Sequence, residues 1–154
     1  MNLSKTVTLK EATYSTTAIR KGIDNTPNEV QIENMKRTAV KIVDPTRNRF
    51  PGARINSFFR CPALNRAIGG SKNSDHMAGR SVDLDSDGNL LNIAIFDFIR
   101  TELDFDQCIG EYPDENGVFQ WVHASIREKD NRGQVLVKLK EKYIPFGEFQ
   151  VGMV

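Results

Sequence analysis

The chain's only two histidines sit in two polar segments, Ser74-Asp75-His76-Met77-Ala78-Gly79-Arg80-Ser81-Val82-Asp83 and Trp121-Val122-His123-Ala124-Ser125. Imidazole nitrogen and carboxylate oxygen are the zinc ligands available where thiolates are not, and three protein ligands leave a fourth position open to water, as in a catalytic site. His76, Asp83 and His123 could supply that set. Cys61 and Cys108 lie far apart with no C-x-x-C, which excludes both a thiolate zinc site and a disulfide framework. Both cysteines read as small core residues. An isolated histidine is commonly exposed or satisfied by hydrogen bonds, so the two segments carry weight only together.

These side chains need elements that bring them to one place. Gly79 lets the chain turn after His76, and a strand entering at Ser81 then returns Asp83 toward the imidazole. In the second segment, period-two alternation puts Trp121, His123 and Ser125 on one face of a strand and Val122, Ala124 and Ile126 on the other. The apolar face packs on the core and leaves His123 toward a cleft.

Further β-like runs are Arg54 to Phe59, Ser81 to Leu84, Gln107 to Glu111 and Gln134 to Leu139, with a helix from Leu90 to Leu103 between them. Upstream, T-P-N-E predicts a helix capped by Thr26, with Pro27 at N1 and Glu29 at N3. Ile32, Met35, Ala39, Ile42 and Val43 follow at helical spacing, and Asp44-Pro45 stops the pattern. That helix reads as scaffold. Residues 1–25 are polar and Thr-rich, with Leu9, Ala12, Ile19 and Ile23 as apolar anchors and a short helix and turn expected. Helices first, then strands with a helix inserted, describe an α+β domain.

The 154 residues suit one ordinary core, and 39% apolar with 27% charged residues exclude a disordered or collagen-like chain. The domain expected is a single one spanning 1–154. A formal net charge of +1 with no block of like charge gives no support to nucleic-acid binding. No apolar run approaches the ~20 residues of a membrane span. The N-terminus, with Lys5, Lys10 and Glu11 and no apolar h-region, does not read as a secretory signal, so synthesis in the cytoplasm is expected.

Taken together, S-x-H-x-x-G-x-x-x-D and W-x-H resemble the signature of the zinc D-alanyl-D-alanine carboxypeptidase-like peptidases. That family includes bacterial D,D-carboxypeptidases, vancomycin-resistance dipeptidases and phage endolysins. The likeness extends upstream through Arg54-Ile55-Asn56-Ser57-Phe58-Phe59-Arg60-Cys61-Pro62-Ala63-Leu64-Asn65 and Gly69-Gly70-Ser71, and downstream through Phe105-Asp106-Gln107, roughly residues 8–126. It implies an antiparallel sheet flanked by helices, as in hedgehog domains and D-Ala-D-Ala peptidases. It further implies one Zn2+ per chain on His76, Asp83 and His123, polarising the scissile carbonyl and acidifying its water. Arg60 and Ser74 match positions that hold the substrate's peptide and C-terminal carboxylate, and a guanidinium offers a planar fork for a carboxylate.

The general base departs from better-known members, several of which carry an acid three positions before the second histidine ligand. Here that position is Gln120, which accepts no proton at neutral pH. Glu111, at a strand end, is the candidate instead, while Asp114 and Glu115 read as solvated turn charges.

Other chemistries fit less well. Asp83, Asp85 and Asp87-Gly88 match the first half of an EF-hand loop, but position 12 is Ala94. Ser125 and Cys61 lack the local signatures of nucleophilic hydrolases, and no P-C-x-x-C supports a deaminase. The function expected is zinc-dependent hydrolysis of a peptide bond in bacterial peptidoglycan stem peptides, next to a D-amino acid, by an endolysin or D,D-carboxypeptidase type of enzyme. A monomer acting on the cell wall after phage-type release is the setting expected. The alternative is a non-catalytic zinc domain of the same fold.

Overall fold

In the computed structural model, which describes residues 1–154, six strands form one sheet. They are β1 (Arg54–Ser57), β2 (Ser81–Asp85), β3 (Gln107–Pro113), β4 (Phe119–Ser125), β5 (Gln134–Leu139) and β6 (Lys142–Pro145), in the spatial order β1-β2-β4-β3-β5-β6. Alternation decides what each face carries. Val82 and Leu84 of β2, Cys108 of β3, Val122 and Ala124 of β4 and Val137 of β5 are buried in the hydrophobic core. Ile95, Phe96 and Ile99 of helix α6 (Asn92–Glu102) join them there. The opposite face carries the polar residues. No helix is long and apolar enough to cross a membrane.

The α+β class is the one expected, but the sheet is mixed. β3 and β5 pair in parallel, and the remaining pairings are antiparallel. The cause is a short connection. β4 ends with Ser125 opposite Gln107 at the start of β3, and β5 begins with Gln134 opposite the same residue on the other side. Residues 126–133 therefore step across the end of β3 and place β5 antiparallel to β4 with β3 between them.

Asp106, fully buried, pins that step. Its carboxylate accepts from Arg132 N at 3.0 Å, Nε at 3.0 Å and Nη2 at 2.8 Å, and Arg127 Nε lies 3.2 Å away. The Arg132 hydrogen bonds hold the Asp106 carboxyl below the usual carboxylate range, outweighing the opposing effect of burial.

Several local expectations need correction. The central helix starts later than Thr26: α3 (Glu29–Thr38) is capped by Asn28, whose side chain accepts from Gln31 N while Gln31 Oε1 accepts from Asn28 N. Thr26 instead donates to Asp24. Asp44-Pro45 does not end the helix either. A π-turn over Ala39–Val43 leads directly into α4 (Asp44–Arg49), with Asp44 N–H bonded to Ala39 O. The wider turn lets Pro45, which has no N–H and would crowd the carbonyl four residues back, enter a helical path.

In the N-terminal region, which forms α1 (Leu9–Thr13) and α2 (Thr16–Lys21), the buried anchors are Leu3, Val7, Ala12 and Ala18. Ile19 is 69% exposed. The six-residue helix α5 (Pro62–Ala67) and strand β6 are too short to show a period in the sequence. Cys61 caps α5 through its sulfur at the helix start and is only partly buried, packed against the core.

Candidate metal and active site

The antiparallel register sets Asp83 of β2 directly opposite His123 of β4, and His123 opposite Ile109 of β3. One step along, Glu111 of β3 faces Trp121 of β4 on one side and Lys138 of β5 on the other. Because paired residues project to the same side, these two rows share the polar face of the sheet. They floor a cleft of about 500 Å³, which Arg60, Ser74 and His76 also line.

His76 arrives from outside the sheet, on a 3₁₀ turn over Asp75–Ala78. Ser74 opens the turn, its Oγ accepting from His76 N at 3.2 Å. Gly79 closes it at φ +76°, and a Cβ there would meet Met35 Cγ at 2.6 Å and Gln31 O at 2.7 Å. Only glycine fits both the left-handed backbone and the close approach to α3. Polar side chains of α3 then hold the turn: Gln31 Nε2 donates to Met77 O (3.0 Å), Asn34 Nδ2 to Ala78 O (2.9 Å) and Thr38 Oγ1 to Gly79 O (3.0 Å). The helix read as scaffold from its apolar stripe is also the brace of the His76 turn.

The electrostatics follow from who must donate. Phe58 O can only accept, so His76 Nδ1, 2.6 Å away, carries the proton. His76 is buried, and burial holds its pKa down despite the Asp83 charge, so the ring is neutral and Nε2 is bare. That nitrogen finds no hydrogen-bond donor in the chain and lies 3.3 Å from Asp83 Oδ2. Two acceptors face each other. A cation between them would turn repulsion into coordination, and His123, whose Nδ1 donates to Asp83 Oδ1 at 2.9 Å, stands on the other side of the same carboxylate.

One ligand atom from each of His76, Asp83 and His123 can be chosen so that all lie within 4.8 Å of one another. The donor set, its geometry and the bare nitrogen therefore fit a zinc ion. The two histidines flanking Asp83 hold its pKa far down against its burial, while hydrogen bonding to Asp83 raises that of His123 against the effect of burial.

Arg60 follows β1, its N–H bonded to His76 O at 3.2 Å, and its Nε is buried with no acceptor in the chain. Gly70 leaves room for it: a Cβ there would strike the Asn65 amide and come within 3.2 Å of Arg60 Nη1. Glu111 is nearly fully buried, and burial with the neighbouring Asp83 charge raises its pKa. Gln120 is exposed and does not line the cleft. Asp114 caps its own turn by accepting from Asn116 N and Val118 N.

The structure thus brings Arg60, Ser74, His76, Asp83, Glu111 and His123 to one cleft and leaves Gln120 and Asp114 outside it. The EF-hand reading fails on geometry as well. Asp85 accepts from Asn92 Nδ2 at 2.9 Å and pairs with Arg54 at 3.3 Å, and Asp87 is fully exposed.

Several site residues were not legible. Phe58 acts through its carbonyl, which no side-chain type reveals. Asn25 fixes the backbone around Arg60, donating to Thr13 O and Phe59 O and accepting from Cys61 N at 2.7 Å. Lys138 and Tyr143 reach the cleft only through the parallel pairing of β5.

A family model described as Peptidase M15 matches residues 5–124. No curated protein matches the chain.

Proposed function

The chain belongs to the peptidase M15 family, and from that premise we propose that it is a zinc-dependent peptidase cutting stem peptides of bacterial peptidoglycan beside a D-amino acid. It would act on the cell wall as an endolysin or D,D-carboxypeptidase, as a monomeric single domain over 1–154. The observation that carries this reading is the bare Nε2 of His76 facing Asp83 Oδ2, with His123 beside it, in a cleft that also holds a buried carboxylate and an arginine.

His76, Asp83 and His123 would hold the zinc, which would supply Lewis acidity at the scissile carbonyl and acidify water there. The chain's own groups do the rest. Phe58 O keeps the His76 proton on Nδ1 and so keeps Nε2 available. Glu111 stands one step along the same sheet face from His123; its carboxylate accepts the proton of the attacking water and delivers it to the leaving amine. The raised pKa of Glu111 suits both halves of that transfer. Arg60 offers its unpaired guanidinium to the peptide's C-terminal carboxylate, and Ser74 at the mouth of the His76 turn offers a hydroxyl to the peptide backbone. The buried carboxylate in the cleft favours this reading over a non-catalytic zinc domain.

The test is incubation of zinc-loaded protein with defined muropeptides and mass analysis of the products. Release of a D-residue or scission beside one, abolished by a chelator and restored by zinc, is expected. Intact muropeptides in the presence of fully zinc-loaded protein would overturn the proposal.

A further inference from the structure

Lys138 lies on β5, beyond the segment that the Peptidase M15 model covers, yet it reaches the cleft. Its ammonium stands 5.6 Å from the ring centre of Tyr112 and 4.8 Å from that of Tyr143, so two aromatic faces hold it in place. Tyr112 is in turn packed edge-on against Trp121, with ring centres 5.3 Å apart. The ammonium makes no ion pair within the chain.

A lysine serving only as a solvated surface charge has no need of two rings to fix it. One that is half-buried, positioned and unpaired on a cleft wall is suited to an anion brought by the ligand.

Its place in the sheet says where that anion would be. β5 is two strands from β4, roughly 10 Å from the strand of His123, a distance that about three extended peptide residues span. Arg60 follows β1, at the other edge of the sheet. A peptide lying across the strands would meet Arg60 at one end, the His76–Asp83–His123 group in the middle and Lys138 at the other end.

Resting on the peptidase reading above, we propose that Lys138, held between Tyr112 and Tyr143, is a specificity residue for a carboxylate carried within the substrate peptide about three residues from the cleaved bond. This carboxylate is distinct from the C-terminal one assigned to Arg60.

Two peptides test it, alike in sequence and both keeping a free C-terminal carboxylate. One carries the internal carboxylate and the other its amide. Binding to the zinc-loaded protein is read in the first mixing phase from the fluorescence of Trp121, the chain's one tryptophan, which lines the cleft. Hydrolysis is read later in the same samples. The wild type should bind the carboxylate peptide about tenfold or more tightly than the amide, the size of one charge-assisted contact.

Lys138→Met keeps an apolar stem between the rings and should abolish that preference, while Lys138→Arg should keep most of it. Zinc content should stay at one per chain in both variants. No preference in the wild type, or an undiminished preference in Lys138→Met, overturns the inference. A Lys138-dependent preference without hydrolysis upholds the subsite and instead counts against the peptidase reading.

Discussion

The carbonyl oxygen of Phe58 accepts a hydrogen bond from His76 Nδ1 at 2.6 Å, and this one contact settles which nitrogen of the imidazole faces Asp83. The backbone just past β1 therefore fixes the tautomer of a proposed metal ligand carried on a separate turn. Three independent pieces of chain meet here: the end of β1, the turn braced by α3, and the β2–β4 pair.

The first prediction concerns the metal. Wild-type protein should hold one zinc per chain after dialysis and should melt at a higher temperature with zinc than without it, since binding to the folded state alone stabilises it. His76→Ala, Asp83→Ala and His123→Ala should each lower zinc affinity by about a hundredfold or more, removing one of three protein ligands. Elemental analysis and calorimetric titration measure this; full occupancy in His123→Ala would refute the site.

The second separates two candidate proton carriers. Glu111→Gln is nearly isosteric and touches no proposed ligand, so it should retain zinc while losing about 10²- to 10⁴-fold in kcat. Gln120→Ala, at an exposed residue outside the cleft, should stay within about twofold of wild type. Turnover and zinc content of the two variants, measured side by side, decide between them.

The third concerns Arg60. Arg60→Lys keeps the charge but replaces a planar fork with a point donor. It should raise KM for a peptide with a free C-terminal carboxylate by about tenfold while shifting the melting temperature little. An unchanged KM would reduce Arg60 to a structural residue.

The fourth is a pH dependence away from the site. The Asp106 carboxyl lies below the ordinary carboxylate range in the folded chain, so the unfolded chain takes up its proton at higher pH than the folded one. Its stabilisation is therefore complete above about pH 4, the ordinary unfolded value, and is lost as pH falls through the folded value. Asp106→Asn should cost about 2 kcal/mol at pH 7, a fall of roughly 4–8 °C in Tm. The gap from wild type should narrow steadily below pH 4; a gap equally wide at pH 2 and pH 7 would remove the carboxylate from the account.

The proposed ligand set was legible in the sequence because zinc chemistry restricts residue types and because β4 alternates from Trp121 to Ala124. Val122 and Ala124 on one side leave His123 no choice of face. The sheet direction was not legible, since alternation looks the same in parallel and antiparallel strands. Only the short reach of residues 126–133 fixes it, through Asp106. The brace on the His76 turn was hidden for a different reason. Gln31, Asn34 and Thr38 fall at helical spacing on α3, where polar residues ordinarily mark the solvated face, yet here they face backbone carbonyls. Gly79 could be read as a turn former, but the contact with Met35 that forbids any larger residue comes from a helix distant in the chain.

The step of the chain across the end of β3 also imposes an order of assembly. β5 has only β3 and β6 as strand partners, so the β5–β6 hairpin cannot dock before β3 is in place. Within the part of the sheet that β5 docks onto, β3 and β4, joined by a short turn, form the most local pairing, and such contacts close with the least loss of chain entropy. The two rows bearing Asp83, His123 and Glu111 need only β2, β4 and β3. In refolding, competence to bind zinc should therefore precede closure of the cleft by Lys138, with the hairpin arriving last.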